Sequence, residues 1–267
     1  MTERVFVLGA GRAGRGLARA LRLGGVDVVG LHGRHAGEPQ DHVTVGALPE
    51  AIANATTVLV TVRDGQLDAA LRELAAAPLR ADAVVLHASG SADPSALAEV
   101  RSRGHAAGTF HPLVPLADPA RAPALLRGAW IGLDGDDAAR ARGRALATAL
   151  GAHTLDIPAG RKPLYHAAAV LVSNFPPVLL ALGERAMVEA GLPRDLARQA
   201  LLPLWTAAAE NARAATFPAS LTGPAVRGDV ETVRANMDAL AGDPTAQQVY
   251  RVMTEAIEAL MRESGKR

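Results

Sequence analysis

The sequence predicts an α/β fold: an N-terminal domain built on a mostly parallel sheet, residues 1–157, followed by an all-α C-terminal domain, residues 158–267. In the first domain, short apolar runs alternate with helical stretches, which is the pattern of parallel strands joined by helical crossovers. After residue 157 no further strand run appears, and long Ala- and Leu-rich helical stretches follow. Between the two patterns, the glycine and two prolines of segment 158–163 interrupt regular structure and predict a linker.

The first domain alternates between predicted strands and predicted helices. The strands are expected at residues 5–8, 26–31, 58–62, 84–87, 106–110, 130–133 and 153–157. The helices are expected at residues 12–23, 65–76 and 136–150. Most of the strands are continuous apolar runs, which is typical of parallel strands that are covered on both faces.

The second domain is predicted to be helical throughout. Its first helix runs from residue 163 to about residue 190 and is mostly apolar, with a kink expected at Pro176 and Pro177. Further helices are expected at residues 193–215, 229–240 and 244–263. Segment 221–229 is expected to be a loop whose last residue, Asp229, caps the helix that follows.

Composition excludes several classes of protein. A chain of 267 residues with 49% hydrophobic and 21% charged residues is typical of a soluble globular protein. The net charge of +1 and the absence of a basic block argue against nucleic acid as a partner. Cysteine is absent and the eight histidines form no metal-like pair, so we expect no metal site. The first apolar run is too short to cross a membrane and no signal-peptide pattern precedes it, so we expect a cytoplasmic protein without a membrane partner.

A glycine-rich loop follows the first predicted strand. Gly9, Gly11 and Gly14 have the spacing Gly-x-Gly-x-x-Gly, with a strand before, a helix after and a second strand at the expected distance. In such a loop the first glycine allows a tight turn, the second lets the backbone approach a pyrophosphate, and the third lets the helix pack on the strand. We therefore predict a Rossmann unit that binds a dinucleotide through this loop, including Arg12 and Ala13. A glycine-rich turn without a ligand is the alternative.

The end of the second strand distinguishes the two nicotinamide dinucleotides, because a carboxylate there holds the free ribose hydroxyls and repels a 2′-phosphate. Here the segment contains Arg34, and no carboxylate appears before Glu38. A guanidinium makes charge-assisted hydrogen bonds to phosphate. We therefore predict NADP (NADPH) rather than NAD as the cofactor, the alternative being that Arg34 is a solvated loop charge.

Polar residues stand at the ends of three further strands, and ligands of open parallel sheets lie beyond such ends. Val62 and Arg63 close the third strand and are expected to line the cofactor site. Ser89 follows the fourth strand, where its hydroxyl is expected to bond the cofactor or to orient the substrate. His87 and His111 close the fourth and fifth strands, and His111 is expected to contact the substrate. The plainer alternative for both histidines is a structural hydrogen bond.

The first helix of the second domain carries polar residues at its start and along its length, and such groups need partners on an apolar helix. At about 100° per residue, Ser173 lies on nearly the same face as His166, with Asn174 a little further round. We expect this face to look into an interdomain cleft, with Ser173 binding substrate and Asn174 orienting it. Lys162, aided by His166, is the expected proton donor, provided that burial lowers the lysine pKa. The alternatives are a solvated linker charge for Lys162 and a helix-packing hydrogen bond for Asn174.

Arg227 lies in the predicted loop 221–229, whose two glycines and proline fix a defined shape. It is expected either to bind an acidic substrate or to pin the loop through a carboxylate. Structural pinning is the favoured interpretation of the two.

Five groups of residues together are similar to one family: 9–14, 87–90, 111–113, 165–168 with 173–174, and 221–224 with 227–229. They resemble the Rossmann-like proteins with the C-terminal domain of unknown function 2520, relatives of the 6-phosphogluconate dehydrogenase-like and ketopantoate reductase-like enzymes. The resemblance implies an NADP-binding domain followed by a helical substrate and dimerisation domain, and hence a homodimer. It also implies that Lys162 corresponds to the catalytic lysine of the hydroxyacid dehydrogenases. Those enzymes have an asparagine four residues later, where this chain has His166.

The resemblance implies an NADP-dependent oxidoreductase acting on CH–OH or C=N groups of a small molecule. The first expectation is NADPH-dependent reduction of a carbonyl beside a carboxylate, with a ketopantoate-like 2-oxo acid as substrate. The second is reduction of a cyclic imine, as in pyrroline-5-carboxylate reductase. A protein of another class, a non-catalytic sensor that reads NADP, would keep Arg34 and the glycine loop without needing Lys162.

Overall fold

A computed structural model describes residues 3–92 and 94–265. The chain divides into two compact units, Met1–Ser173 and Asn174–Arg267. The predicted domain boundary, after residue 157, precedes this division by one helix, α6 (Lys162–Ser173). This helix groups with the first unit because Lys162 is buried against the sheet and the Tyr165 ring packs on Gly132.

The first unit is built on an eight-stranded sheet with the strand order β3-β2-β1-β4-β5-β6-β7-β8. The strands are β1 (Arg4–Leu8), β2 (Asp27–His32), β3 (Val43–Thr44), β4 (Thr57–Val60), β5 (Val84–His87), β6 (Ala107–Pro112), β7 (Trp130–Gly135) and β8 (His153–Asp156). Neighbouring strands are parallel except for β6 and β7. The predicted mostly parallel sheet is therefore confirmed, although the two residues of β3 were too few to give a periodic signal.

The helices of this unit are α1 (Arg12–Leu23), α2 (Leu67–Ala76), α3 (Ala98–Ser102), α4 (Ala122–Leu126), α5 (Asp137–Ala149) and α6. Single 3₁₀ turns lie at Pro39–Asp41, Glu50–Asn54, Asp64–Gln66 and Pro94–Leu97. Helix α1 has the predicted bounds, and it ends at the glycine pair where Gly25 takes a left-handed φ of +79°. Helices α3 and α4 have five residues each, too few to show helical periodicity in the sequence.

Both faces of the sheet are covered, and β1 shows this directly. Val5 and Val7 belong to the apolar cluster under α1, whereas Phe6 and Leu8 belong to the cluster on the opposite face under α2. All four side chains are buried. Each contributes about 1.5–3 kcal/mol of burial free energy, so this strand stabilises both layers at once.

The chain changes direction across the sheet between β1 and β4. From β1 it continues to β2 and β3 on one side, and it then returns to β4 on the other side. The carboxyl ends of β1 and β4 are therefore neighbours at a topological switch point, where open α/β sheets bind ligands. The Thr61 hydroxyl after β4 donates to the Gly9 carbonyl at 2.6 Å, and Gly9 N donates to the His32 carbonyl at 2.8 Å. The loops after β1, β2 and β4 thus meet at one edge.

The second unit contains α7 (Phe175–Glu189), α8 (Arg194–Ala214), α9 (Pro224–Arg227), α10 (Val230–Ala239) and α11 (Pro244–Glu263). The prediction of one helix over 163–190 is wrong in one respect, because α6 ends at Ser173 and α7 begins at Phe175. Pro176 and Pro177 lie in the first turn of α7, where a missing N–H is tolerated, so the interruption precedes them. The predicted loop 221–229 contains the short α9. Asp229 caps α10 as predicted, accepting from Thr232 N at 3.0 Å.

The second unit buries few large side chains. Among its described residues, the buried ones are Glu184, Ala197, Ala225, Ala246 and Met261. Large apolar side chains are instead exposed, among them Val178 (52%), Leu204 (66%) and Trp205 (41%). An isolated helical unit with so little apolar burial is poorly stabilised.

The stretch Lys162–Glu189 has 28 residues and is long and apolar enough to cross a membrane by length and composition, with a mean hydropathy of 1.5 in an 18-residue window. It is divided, however, into α6 with 12 residues and α7 with 15 residues. A membrane-spanning helix needs about 20 apolar residues, so neither helix reaches that length alone.

Candidate active site

The glycine loop joins β1 to α1 at the switch point. Gly9 has a φ of +117°, and a Cβ added there would lie 2.7 Å from the backbone of Thr61 and Val62. A Cβ at Gly14 would overlap the Gly9 carbonyl oxygen, so helix and strand can approach this closely only without a side chain. At Gly11, by contrast, an added Cβ meets nothing within 4 Å. The loop therefore leaves open space at Gly11, where a pyrophosphate would approach the helix N-terminus.

A cavity of about 1220 Å³ extends from this loop. It is lined by most of the predicted cofactor residues: Gly9, Gly11, Arg12, Ala13, Arg34, Val62 and Arg63. Gly14 lies beneath the cavity, buried between α1 and β1, and Ser89 lies outside its lining. Its volume lies somewhat above the range of about 300–1,000 Å³ that is typical of small-molecule sites. The glycine loop and the arginines in its lining offer donors to the phosphates of a dinucleotide.

Arg34 reaches into this cavity from the loop after β2. Its two Nη atoms lie 2.6 and 2.9 Å from the side-chain oxygen of Gln66, with the amide orientation assigned from this hydrogen bonding. Within residues 3–92 and 94–265, no ion pair joins Arg34 to a carboxylate. The guanidinium is therefore positioned by a neutral group and keeps its charge.

The carboxylates that follow β2 are already paired. Arg19 donates to Asp41 at 2.6 Å from Nε, and Asp41 is fully buried. Glu38 accepts from Arg19 at 2.9 Å and from Arg15 at 3.3 Å. Both carboxylates are therefore paired with arginines of α1 and are not free to accept hydrogen bonds from a ribose.

A second cluster forms at the end of β5. The Ser89 hydroxyl accepts from Ala92 N at 2.9 Å, and the Ser91 hydroxyl donates to Asp64 Oδ2 at 2.7 Å. Burial alone would raise the pKa of Asp64, but the hydrogen bonds from Ser91 and Ser89 and the charge of His166 outweigh it and lower that pKa. Asp64 is thus an anion near the histidines.

His111, at the end of β6, forms a ring cluster with two residues of α6. Its Nδ1 lies 2.9 Å from the Tyr165 hydroxyl, and its ring meets the His166 ring edge-on with centroids 6.0 Å apart. Burial, together with the charge of Lys162, lowers the pKa of His111 to about 4. Burial raises the pKa of Tyr165 to about 12. Both partners of this hydrogen bond are therefore uncharged at neutral pH.

Gly90, just after β5, lets the rings of His111 and His166 approach the backbone closely. A Cβ at Gly90 would overlap His166 Nδ1 and lie 2.7 Å from His111 Nε2. Only a glycine therefore lets both rings pack on this backbone. His166 Nδ1 is buried, and within the described residues it has no hydrogen-bond partner.

Lys162 lies beneath this cluster rather than at its surface. It is fully buried, and its Nζ donates to the Thr109 hydroxyl at 2.7 Å. The same hydroxyl lies 3.3 Å from His87 Nε2, and both Thr109 and His87 are buried. The predicted lysine and the first predicted strand-end histidine are thus joined through a threonine.

Three predicted site residues lie at the end of α6 or in the second unit. Ser173 is exposed at the end of α6. Asn174 and Arg227 belong to the second unit and are exposed, with Arg227 at the end of α9. Their assignment to a substrate site stays a prediction.

Sequence reasoning missed Asp64, Gln66, Thr109 and the role of Tyr165. Asp64 and Gln66 follow β4, which borders the switch point, whereas Thr109 lies in β6, two strands away from β4. Asp64, shortly after the apolar run of β4, had a usable local signal, whereas Gln66 and Thr109 had none. Their pairing depends on side-chain contacts that the sequence does not encode locally.

The sheet order, the glycine loop at the switch point and the cavity define an α/β protein of the Rossmann type with a helical C-terminal unit. Residues 129–257 match the family model described as a domain of unknown function, DUF2520. This confirms the predicted combination of a Rossmann unit with that domain. The matched region begins at β7, so it includes the last two strands of the sheet as well as the helical unit.

Solved structures share this fold over nearly the whole chain. A candidate NADP oxidoreductase from Bacteroides fragilis is 22% identical, with a TM-score of 0.76 and coverage of 97% of this chain and 98% of that one. A protein from Thermotoga maritima is 23% identical, with a TM-score of 0.72 and coverage of 99% and 100%. The NADP-bound pyrroline carboxylate reductase of Plasmodium falciparum is 12% identical, with a TM-score of 0.66 and coverage of 97% and 98%. No curated protein sequence matches the chain.

Proposed function

We propose that this protein is an NADPH-dependent reductase of a small compound with a carbonyl or imine beside a carboxylate. The observation that carries the proposal is the pairing of two features in one unit. The glycine loop and Arg34 line one cavity, and an uncharged His111–Tyr165 pair with His166 lies at the end of β6 in the same sheet. Solved proteins of the same fold include an NADP-bound reductase, which supports this choice of cofactor.

The cofactor residues divide into two groups by the chemistry they offer. The backbone at Gly11 and the N-terminus of α1 would receive the pyrophosphate, because that end of the helix carries positive partial charge. Arg34 would bind a 2′-phosphate, because its charge is not cancelled by a carboxylate. When bound, NADPH would supply the hydride.

The chain's own residues would orient the substrate and provide the proton. The His111–Tyr165 pair is neutral, so it would offer uncharged hydrogen-bonding groups to a substrate oxygen or nitrogen. His166 is our proton donor, since histidine is the side chain that most readily exchanges protons near neutral pH. Asp64, whose pKa is lowered, supplies a negative charge to the same cluster. Ser89 would orient the substrate from the end of β5.

Lys162 was the first candidate for proton donor, and its burial argues for an indirect role. Its ammonium is bonded to Thr109 and has no solvent exposure. A donor must reach the substrate within hydrogen-bond distance or through one water. We therefore propose that Lys162 is a positioning residue, whose charge adds to burial in lowering the pKa of His111.

Oxidation of NADPH measured by absorbance, with a panel of 2-oxo acids and carboxylate-bearing cyclic imines, tests the proposal. We expect turnover with at least one class, including a ketopantoate-like 2-oxo acid as the first compound, and a loss of about 100-fold in kcat for His166→Asn. His153→Asn, at an exposed position on the sheet edge, is the matched control and should behave as wild type. Lys162→Met should shift the pH profile of kcat, because the lysine charge acts on the pKa of His111, and should thereby lower kcat.

Two other outcomes have distinct meanings. Turnover of cyclic imines alone would assign the pyrroline-5-carboxylate reductase type of activity. No turnover on either class, with tight NADPH binding retained, would contradict the reductase and support the non-catalytic NADP sensor.

We further propose that the protein is a homodimer through the exposed apolar side chains of α7 and α8, which we name the apolar surface: Val178, Leu179, Leu202, Leu204 and Trp205. A second copy is the favoured occupant because α6 and α7 are too short to span a membrane and the unit has little core of its own. A soluble homodimer agrees with the predicted cytoplasmic location.

Sedimentation at micromolar concentration should give twice the chain mass of 27.5 kDa. Leu204→Glu should shift the protein to monomer, whereas Leu23→Glu, on an exposed residue of α1, should not. A wild-type monomer would contradict the homodimer.

A further inference from the structure

The bond between Arg34 and Gln66 joins two loops across the switch point. Arg34 follows β2 and Gln66 ends the 3₁₀ turn after β4, while β1 lies between these two strands in the sheet. Both residues line the cavity. The guanidinium therefore extends above the carboxyl end of β1, on the same side as the glycine loop.

The chemistry of this pair leaves Arg34 available to a ligand. Guanidinium has five N–H donors, and the single Gln66 oxygen occupies two of them, one on each Nη. Because an amide is neutral, the bond fixes the direction of the guanidinium without cancelling its charge. A carboxylate in the same place would form a bidentate ion pair and would cancel it.

The charge around the pair points to an anionic ligand. Four arginines and two glutamates line the cavity: Arg12, Arg15, Arg34, Arg63, Glu38 and Glu73. Glu38 is bonded to Arg15 and Arg19, so it does not compete for Arg34. The lining thus keeps an excess of positive charge that suits more than one phosphate group.

We propose that Gln66 is a specificity-determining residue: it holds Arg34 above the cavity so that the guanidinium distinguishes a 2′-phosphorylated adenosine from one with a free 2′-hydroxyl. The inference rests on the proposed NADPH-dependent function and deepens it. Gln66 is a positioning residue, because it acts through Arg34.

Equilibrium titration of 2′,5′-ADP and of 5′-AMP, which differ only in the 2′-phosphate, tests the inference without catalysis. The wild type should prefer 2′,5′-ADP. Gln66→Glu should lower its affinity for 2′,5′-ADP on the order of 10- to 100-fold, the range that charge-assisted hydrogen bonds give, with 5′-AMP affected about threefold or less. Gln66→Met, of similar length and without an acceptor, should show a smaller loss of about threefold to tenfold.

Gln248→Glu, an exposed position on α11, introduces the same charge change away from the cavity and should leave both affinities unchanged. A wild-type preference that survives in Gln66→Glu and Gln66→Met would overturn the role of Gln66 while leaving the proposed function intact. A wild type that binds neither nucleotide, nor NADPH, would overturn both.

Discussion

The half-buried pair of His111 and Tyr165 predicts a measurable dependence of stability on pH. Folding lowers the pKa of His111 from 6.5 to about 4, chiefly by burial. The unfolded chain therefore takes up a proton at His111 below pH 6.5, whereas the folded chain does so only near pH 4. The contribution of His111 to stability is therefore complete above pH 6.5 and is lost as the pH falls from 6.5 to about 4. The lost free energy of unfolding is up to about 3 kcal/mol.

Thermal unfolding at pH 7 and pH 4.5 measures this loss, with His111→Asn as the variant in which the titrating group is absent. Other carboxylates and histidines titrate equally in both proteins, so the difference between the two pH-dependent losses isolates His111. We expect the wild type to lose about 2–3 kcal/mol more than the variant, equivalent to about 5 to 10 °C in Tm for a chain of this size. His153→Asn should keep the wild-type loss. Equal losses in wild type and His111→Asn would refute the burial argument.

Three further predictions follow from the close contacts at the switch edge. Gly14→Ala should lower the free energy of unfolding by about 1–3 kcal/mol or more in chemical unfolding, because its Cβ would overlap the Gly9 carbonyl. Gly11→Ala places its Cβ in open space, so it should keep the stability of the wild type and weaken only NADPH binding. Thr109→Val should lower the free energy of unfolding by about 1–3 kcal/mol, because it removes the hydroxyl bonded to Lys162. Thr109→Ser keeps that hydroxyl and should lower it clearly less. Equal losses in the two variants would contradict this assignment. Gly90→Ala should lower kcat by about 100-fold with NADPH affinity retained, because it displaces the His111 and His166 rings, and unchanged kcat would count against their role.

Much of the fold was predictable because its signals are local. The apolar run and three glycines around residue 9 predicted β1, the loop and the start of α1, and the observed α1 has the predicted bounds. The interruption at Asn174 was misplaced by the prediction, because prolines are tolerated in a first helical turn and the sequence alone does not show where that turn begins. The two-residue β3 carries too little periodicity to be recognised.

The candidate site was predictable in part for the same reason. Residues at strand ends, such as Arg34 and His111, were identifiable from their position after apolar runs. The burial of Lys162 was not, because it depends on α6 packing on β6 and on the Thr109 hydroxyl, residues far apart in the chain. Gln66 has no local signal, since its role depends on a bond to a loop on the other side of β1.

The most direct test of the account is calorimetric titration of the wild-type protein with NADPH, followed by the same titration in the presence of 2′,5′-ADP. We expect one saturable site per chain, with a Kd on the order of micromolar, competition by 2′,5′-ADP, and a marked loss of affinity in Arg34→Ala. Failure of the wild type to bind NADPH at millimolar concentration would contradict the assignment of the cavity as a dinucleotide site.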